Sequence, residues 1–164
     1  MKLSHTTTYD APLAEVFAML TDPAFREHAA KASGVIEVKV DVTQQDEVTQ
    51  VRMDQVQPVQ GVPSFATKFA GETTQAVVVE TWDSQASSHL EITTPGKPTR
   101  VTGGYRLSEI GGRTTQQFEG ECKVSVPLIG GKLEKVMGDL FVQGREKEAA
   151  AGVAWLRGDK GERA

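Results

Sequence analysis

Asparagine is absent from the sequence, and cysteine occurs once, at Cys122. The first absence removes every N-glycosylation acceptor; the second rules out an internal disulfide. No apolar run approaches the roughly 18 residues that a membrane-crossing helix needs. The chain runs from Met1 straight into alternating residues, without the apolar stretch of a signal peptide. These features set the expectation of a cytoplasmic protein with no stable membrane insertion. An excess of positive charge is also missing. Lys and Arg number 18 against 22 Asp and Glu, for a formal net charge of −4. That balance gives no electrostatic reason to expect a nucleic-acid partner. The three histidines, His5, His28 and His89, lie far apart with no metal-ligand spacing, so neither a metal nor another cofactor is expected.

What remains is an ordinary globular composition, 38% hydrophobic and 24% charged over 164 residues. A chain of this length argues for one domain, and it can bury roughly 70% of its unfolded surface. The stretch KLSHTTTY alternates, with Leu3, His5, Thr7 and Tyr9 on one face, and its β-branched threonines favour a strand. In DAPLAEVFAMLTDPAF, Asp10 suits an N-cap, and Leu13, Val16, Phe17 and Leu20 form a helical stripe. Asp22-Pro23 ends that helix and can open a second, which stops near Gly34.

From Gly34 the period changes to two. Ile36, Val38, Val40 and Val42 share a face opposite Glu37, Lys39 and Asp41, the pattern of a half-buried antiparallel strand. VTQVRMDQV reads as its return strand. Four more strands follow, at about 73–82, 88–94, 99–108 and 114–126, separated by the turns DSQA, PGKP and IGGR. Pro58, Gly61, Pro63 and Gly71 make the segment 58–71 a loop, with room for a helical turn around 64–69.

The segment VPLIGGKL invites comparison with a phosphate-binding loop. That motif needs a glycine five residues before the Gly-Lys pair and Ser or Thr after it, where this sequence has Val126 and Leu133. Pro127 instead stops a strand, and the two glycines turn the chain into a helix reaching Leu156. On that helix Leu133, Val136, Met137, Leu140, Phe141, Ala151 and Trp155 share one side. Gly144 lies within the stripe, where it either lets the backbone touch a neighbour or leaves space; Glu148 sits at the stripe's edge, facing solvent or capping a pocket.

This order of strand, two short helices, about six antiparallel strands and a long helix resembles the START-like, or SRPBCC, superfamily. The most specific match is YDAPLAEVFAMLTDPAF, and VPLIGGKLEKVMGDLF with a helix ending in AWL resembles an uncharacterised, mainly actinobacterial branch. The resemblance covers residues 1–157 as one START-like domain, leaving 158–164 as a flexible tail. It implies an α+β helix-grip fold. In that fold a curved antiparallel sheet of six or seven strands packs on the long C-terminal helix, with two short helices after the first strand.

The function it implies is binding of a small apolar or amphipathic molecule, such as a lipid or polyketide, in a cavity between sheet and helix. Two alternatives stay open: a cyclase- or aromatase-like enzyme using acid/base chemistry, and an interaction or regulatory domain without a ligand. No catalytic set carries over. The alternation puts His5, Tyr9, Met53, Glu80, Trp82, Tyr105 and Phe118 on inner faces of the sheet. With Met137, Phe141 and Gly144 from the helix, these are the candidate ligand-binding residues. Inward polar groups are the informative ones, because each needs a partner when buried. Cys122 falls on an apolar face beside no base, which makes it inert core.

Overall fold

The computed structural model describes residues 1–59, 62–66 and 71–159. The elements are β1 (Lys2–Tyr9), α1 (Leu13–Leu20), α2 (Pro23–Ala32), β2 (Glu37–Gln45), β3 (Val48–Pro58), β4 (Thr73–Ser84), β5 (Ser87–Thr93), β6 (Thr99–Ile110), β7 (Arg113–Val124) and α3 (Gly130–Leu156). The seven strands form one curved antiparallel sheet in the order β1-β7-β6-β5-β4-β3-β2. Of the expected tail, residues 160–164 lie outside the described residues, as do 60, 61 and 67–70 of the loop; residues 64–66 are helical. No helix among the described residues is long and apolar enough to cross a membrane.

Local chemistry accounts for the helix boundaries. Asp22 accepts a hydrogen bond from the Ala24 amide at 2.9 Å, and Pro23 opens α2. Asp10 does not cap α1. Pro12 occupies the N-cap position without a side-chain bond, and the Leu13 amide donates at 2.7 Å to Glu109 on β6. The cap thus comes from a strand distant in sequence. α3 begins later than the sequence suggests, because Leu128 adopts a left-handed φ of +71° after Pro127. It then runs unbroken through Gly138 and Gly144. Ile36 is another correction: it is 53% exposed, lying just ahead of β2, the last strand of the sheet, which has a neighbour on one side only.

Alternation places Val51 and Met53, Val78, Glu80 and Trp82, Tyr105 and Leu107, and Phe118 and Cys122 on the buried face. Gly103 and Gly120 pair across β6 and β7. A Cβ on either would lie 2.8 or 2.7 Å from Cζ of Phe118, so the two glycines form a floor for that ring. α3 packs on β1, β7 and α2. Phe141 meets Phe118 with ring centroids 4.9 Å apart, and Trp155 meets Phe25 at 5.3 Å.

The glycines of α3 differ in what they touch. A Cβ at Gly152 would stand 2.9 Å from the Tyr9 ring and 3.1 Å from the Met19 methyl, whereas one at Gly144 would meet nothing within 4 Å. Gly144→Ala should therefore stabilise the protein by about 0.5–1 kcal/mol through helix propensity. Gly152→Ala should destabilise it by about 1–3 kcal/mol through overpacking. Urea unfolding of the two variants checks both signs.

Candidate functional site

Two arginines and two glutamates meet inside the grip. Arg26 comes from α2 and is 2% exposed; Glu80 lies well inside β4 and is 0% exposed. The Arg26 guanidinium donates from Nη2 to Glu80 Oε2, and Trp82 Nε1 donates to Glu80 Oε1 at 3.2 Å. Arg26 Nη1 donates to the Leu20 carbonyl at 3.4 Å and lies 3.8 Å from Oε1 of Glu148. Glu148 on α3 is 8% exposed, and its Oε2 lies 3.1 Å from Nη1 of Arg145, one helical turn earlier. The same Nη1 donates to the Tyr105 hydroxyl at 2.7 Å. A continuous chain, Trp82–Glu80–Arg26–Glu148–Arg145–Tyr105, thus ties together β4, α2, α3 and β6.

Beside it is a cavity of about 10 Å³, lined by His5, Thr7, Tyr9, Tyr105, Gln116, Phe118, Arg145 and Glu148. Measured by where a water centre can stand, that is room for about one oxygen atom. Nε of Arg145 is buried with no hydrogen-bond partner among the described residues. An unpartnered buried donor costs about 1–3 kcal/mol, so an acceptor in this cavity would be held strongly.

Of the sequence-derived candidates, His5, Tyr9, Tyr105 and Phe118 line this cavity. Glu80 and Trp82 lie in the adjoining charged chain. Phe141 closes on Phe118, and the Arg145 guanidinium sits 5.3 Å from the Phe141 ring centroid. Met53 is core on β3; Met137 is half-buried on α3, and Gly144 faces open space. Arg26 and Arg145 escaped sequence reading. Their signal was positional: Arg26 falls between Phe25 and Ala29 on the buried stripe of α2, and Arg145 stands one turn from both Phe141 and Glu148. The Gly130-Gly131 pair of VPLIGGKL opens α3. The Gly130 amide donates to the Val126 carbonyl, and Lys132 is exposed.

The electrostatics follow from burial and pairing. Burial works to raise the Glu148 carboxyl, but Arg145 and Arg26 outweigh it and hold it below its ordinary value. Burial, joined by the charge of Arg145, lowers His5. Burial raises the phenols of Tyr9 and Tyr105 well above their ordinary value, so both are proton-bearing donors near neutral pH. Cys122 is buried and its thiol is likewise pushed up by burial, as inert core requires.

Both depressed groups destabilise the fold in acid. The unfolded chain binds the proton more readily at His5 and at Glu148, so each contributes stability above its unfolded pKa and loses it as pH falls. The melting temperature should decline gently below about pH 6.5 and steeply below about pH 4.5. Replacing Glu148 by Gln leaves two guanidiniums short of a partner and should cost about 3–5 kcal/mol at neutral pH. Calorimetry across this pH range, on wild type and variant, measures both effects.

Residues 4–156 match the model of a family described as "Protein of unknown function (DUF2505)". No curated protein matches the chain. Similar solved structures include the protein TTHA0849 from Thermus thermophilus, at 17% identity and TM-score 0.63, with 94% of this chain and 98% of that one covered. A START superfamily protein from Mycobacterium smegmatis aligns at 14% identity and TM-score 0.62, covering 96% and 97%. The di-domain ARO/CYC StfQ from the steffimycin biosynthetic pathway aligns at 11% identity and TM-score 0.60, covering 98% of this chain and 52% of that one. At such identities the likeness is one of fold, the START-like helix grip. Because the family match runs from β1 through α3 and takes in every residue of the cavity, the chain belongs to the DUF2505 family.

Proposed function

We propose that the grip binds a small apolar or amphipathic molecule, with one polar end hydrogen-bonded at the Tyr105–Arg145 cavity. The observation that carries this reading is a small cavity with Tyr105, Arg145 and Glu148 in its lining, set into a wall of Trp82, Phe118 and Phe141. A few convergent polar groups in an apolar surround are the usual form of a small-molecule site. The apolar body has somewhere to lie. Val38, Val40 and Ile92 point into the grip yet remain half-exposed, as do Met137 and Phe141 across from the sheet. A Cβ at Gly144, one turn from Phe141 on α3, would meet nothing within 4 Å.

Binding accounts for the groups better than acid/base catalysis does. A general base works best with a pKa near the operating pH, whereas Glu148 is held low by two arginines, both tyrosines are held high, and burial with the charge of Arg145 pushes His5 below its ordinary value toward a weaker base. Such groups orient a ligand oxygen without exchanging protons with it. That an ARO/CYC protein of a biosynthetic pathway has the same fold is compatible with a polycyclic or polyketide-like ligand.

Uptake of Nile red, a neutral dye that brightens in apolar sites, tests the reading. Wild type should bind it at micromolar concentration. Gly144→Leu should bind at least tenfold more weakly while keeping or raising the melting temperature, because the added side chain enters open space. A wild type that leaves the dye dark, with a strongly destabilised Gly144→Leu, would reject the site.

A further inference from the structure

The charges around the cavity already cancel. Arg26 and Arg145 carry two positive charges, Glu80 and Glu148 two negative ones, and all four are engaged with one another. Both oxygens of Glu80 are occupied, one by Arg26 and one by Trp82. Both oxygens of Glu148 face arginines. The donors left over at the cavity include Nε–H of Arg145, which has no partner among the described residues, and the hydroxyl proton of Tyr105, whose oxygen already accepts from Arg145. Tyr9 and Thr7 add hydroxyls to the lining, and Gln116 adds an amide. The space offers surplus donors and no surplus charge.

We infer that the polar end of the ligand is an uncharged acceptor oxygen, the carbonyl of a ketone, ester or amide, and that carboxylate- and phosphate-headed lipids are discriminated against. This inference rests on the binding reading above and deepens it. An anion in the cavity would leave one unbalanced charge among side chains that are all at least four-fifths buried, and unbalanced buried charge is heavily penalised. A cationic head would find no carboxylate oxygen without a partner. A neutral carbonyl needs only donors of the kind that Arg145 Nε–H and the Tyr105 hydroxyl supply. Volume agrees: a space for about one oxygen admits a carbonyl tip, and is too small for the several oxygens of a phosphate.

The discrimination is a difference between matched molecules. Methyl laurate is compared with laurate, and anthrone with anthracene carboxylate, so that one pair is a flexible chain and the other a planar ring system. Each is titrated into wild type, into Glu148→Gln, and into the Arg145→Gln/Glu148→Gln double variant, with binding read by displacement of Nile red and by thermal shift. In wild type the neutral member of at least one pair should bind tenfold or more tightly than its anion. Glu148→Gln leaves one positive charge uncompensated and should reverse that order; the double variant, neutral again but without the Arg145 donor, should lose the preference for the anion while binding the neutral members more weakly than wild type does. The wild-type comparison stands alone if the single variant does not fold. Equal or tighter binding of both anions to wild type would overturn the inference while leaving small-molecule binding in place. If none of the four displaces dye or shifts the melting temperature, the binding reading itself falls, with a buried water as the cavity's occupant.

Discussion

The arrangement of the grip depends on the buried meeting of Arg26 with Glu80. Neither side chain has access to water, so each is tolerated only in the company of the other. Taking both ions out of solvent costs several kcal/mol apiece, and their attraction offsets that only with good geometry and further hydrogen bonds. Those bonds come from the Trp82 indole to Glu80 and from Arg26 to the Leu20 carbonyl. Glu148 and Arg145 then extend the pair onto the long helix. A pair of this kind adds little net stability over apolar packing. The four charges come from α2, α3 and the sheet, so a slip of either helix would separate partners that burial requires to stay together.

The rest of the interior is arranged around that constraint. Trp82 stacks on Tyr105 with centroids 6.2 Å apart, Tyr105 meets Phe118 at 5.2 Å, and Phe118 meets Phe141 at 4.9 Å. This aromatic row needs depth, which the glycine floor of β6 and β7 provides under Phe118. The long helix comes down closely where Gly138 and Gly152 remove side chains against Leu3 and Tyr9. Between those two points Phe141, Arg145 and Glu148 reach into the grip. The polar cavity therefore sits between the buried part of the aromatic row and the half-covered apolar residues beside it.

Much of this was legible in the residue order. Period-two alternation marked the inner faces of β3, β4, β6 and β7, and the Asp22-Pro23 step separated the two short helices as the structure has them. Glu80 was readable as inward because it shares a face with Trp82, and His5 with Tyr9 for the same reason. The partners were not readable. Arg26 and Glu80 are 54 residues apart, and pattern alone does not tell a buried arginine on a small-residue stripe from an exposed one. Asp10 looked like a cap, while the cap came from Glu109, 96 residues on from the amide it satisfies. Ile36 fits the alternation, but an edge position undoes the burial that alternation implies. Local chemistry was right that α1 needs an acidic cap, and topology decided that Glu109 supplies it; for Arg26 and Ile36 the topology alone decided the burial.

The central claim is that the four charges act as one closed unit, and a double-mutant cycle on its innermost pair tests it most directly. Arg26→Gln, Glu80→Gln and the double variant are unfolded in urea at neutral pH. If the unit is closed, each single change strands a buried charge and costs about 3–5 kcal/mol. The double should then cost less than the sum of the two by about 1–3 kcal/mol of coupling. Additive costs, or single changes worth only a few tenths of a kcal/mol, would mean that water reaches the pair and that the register of the grip is set elsewhere.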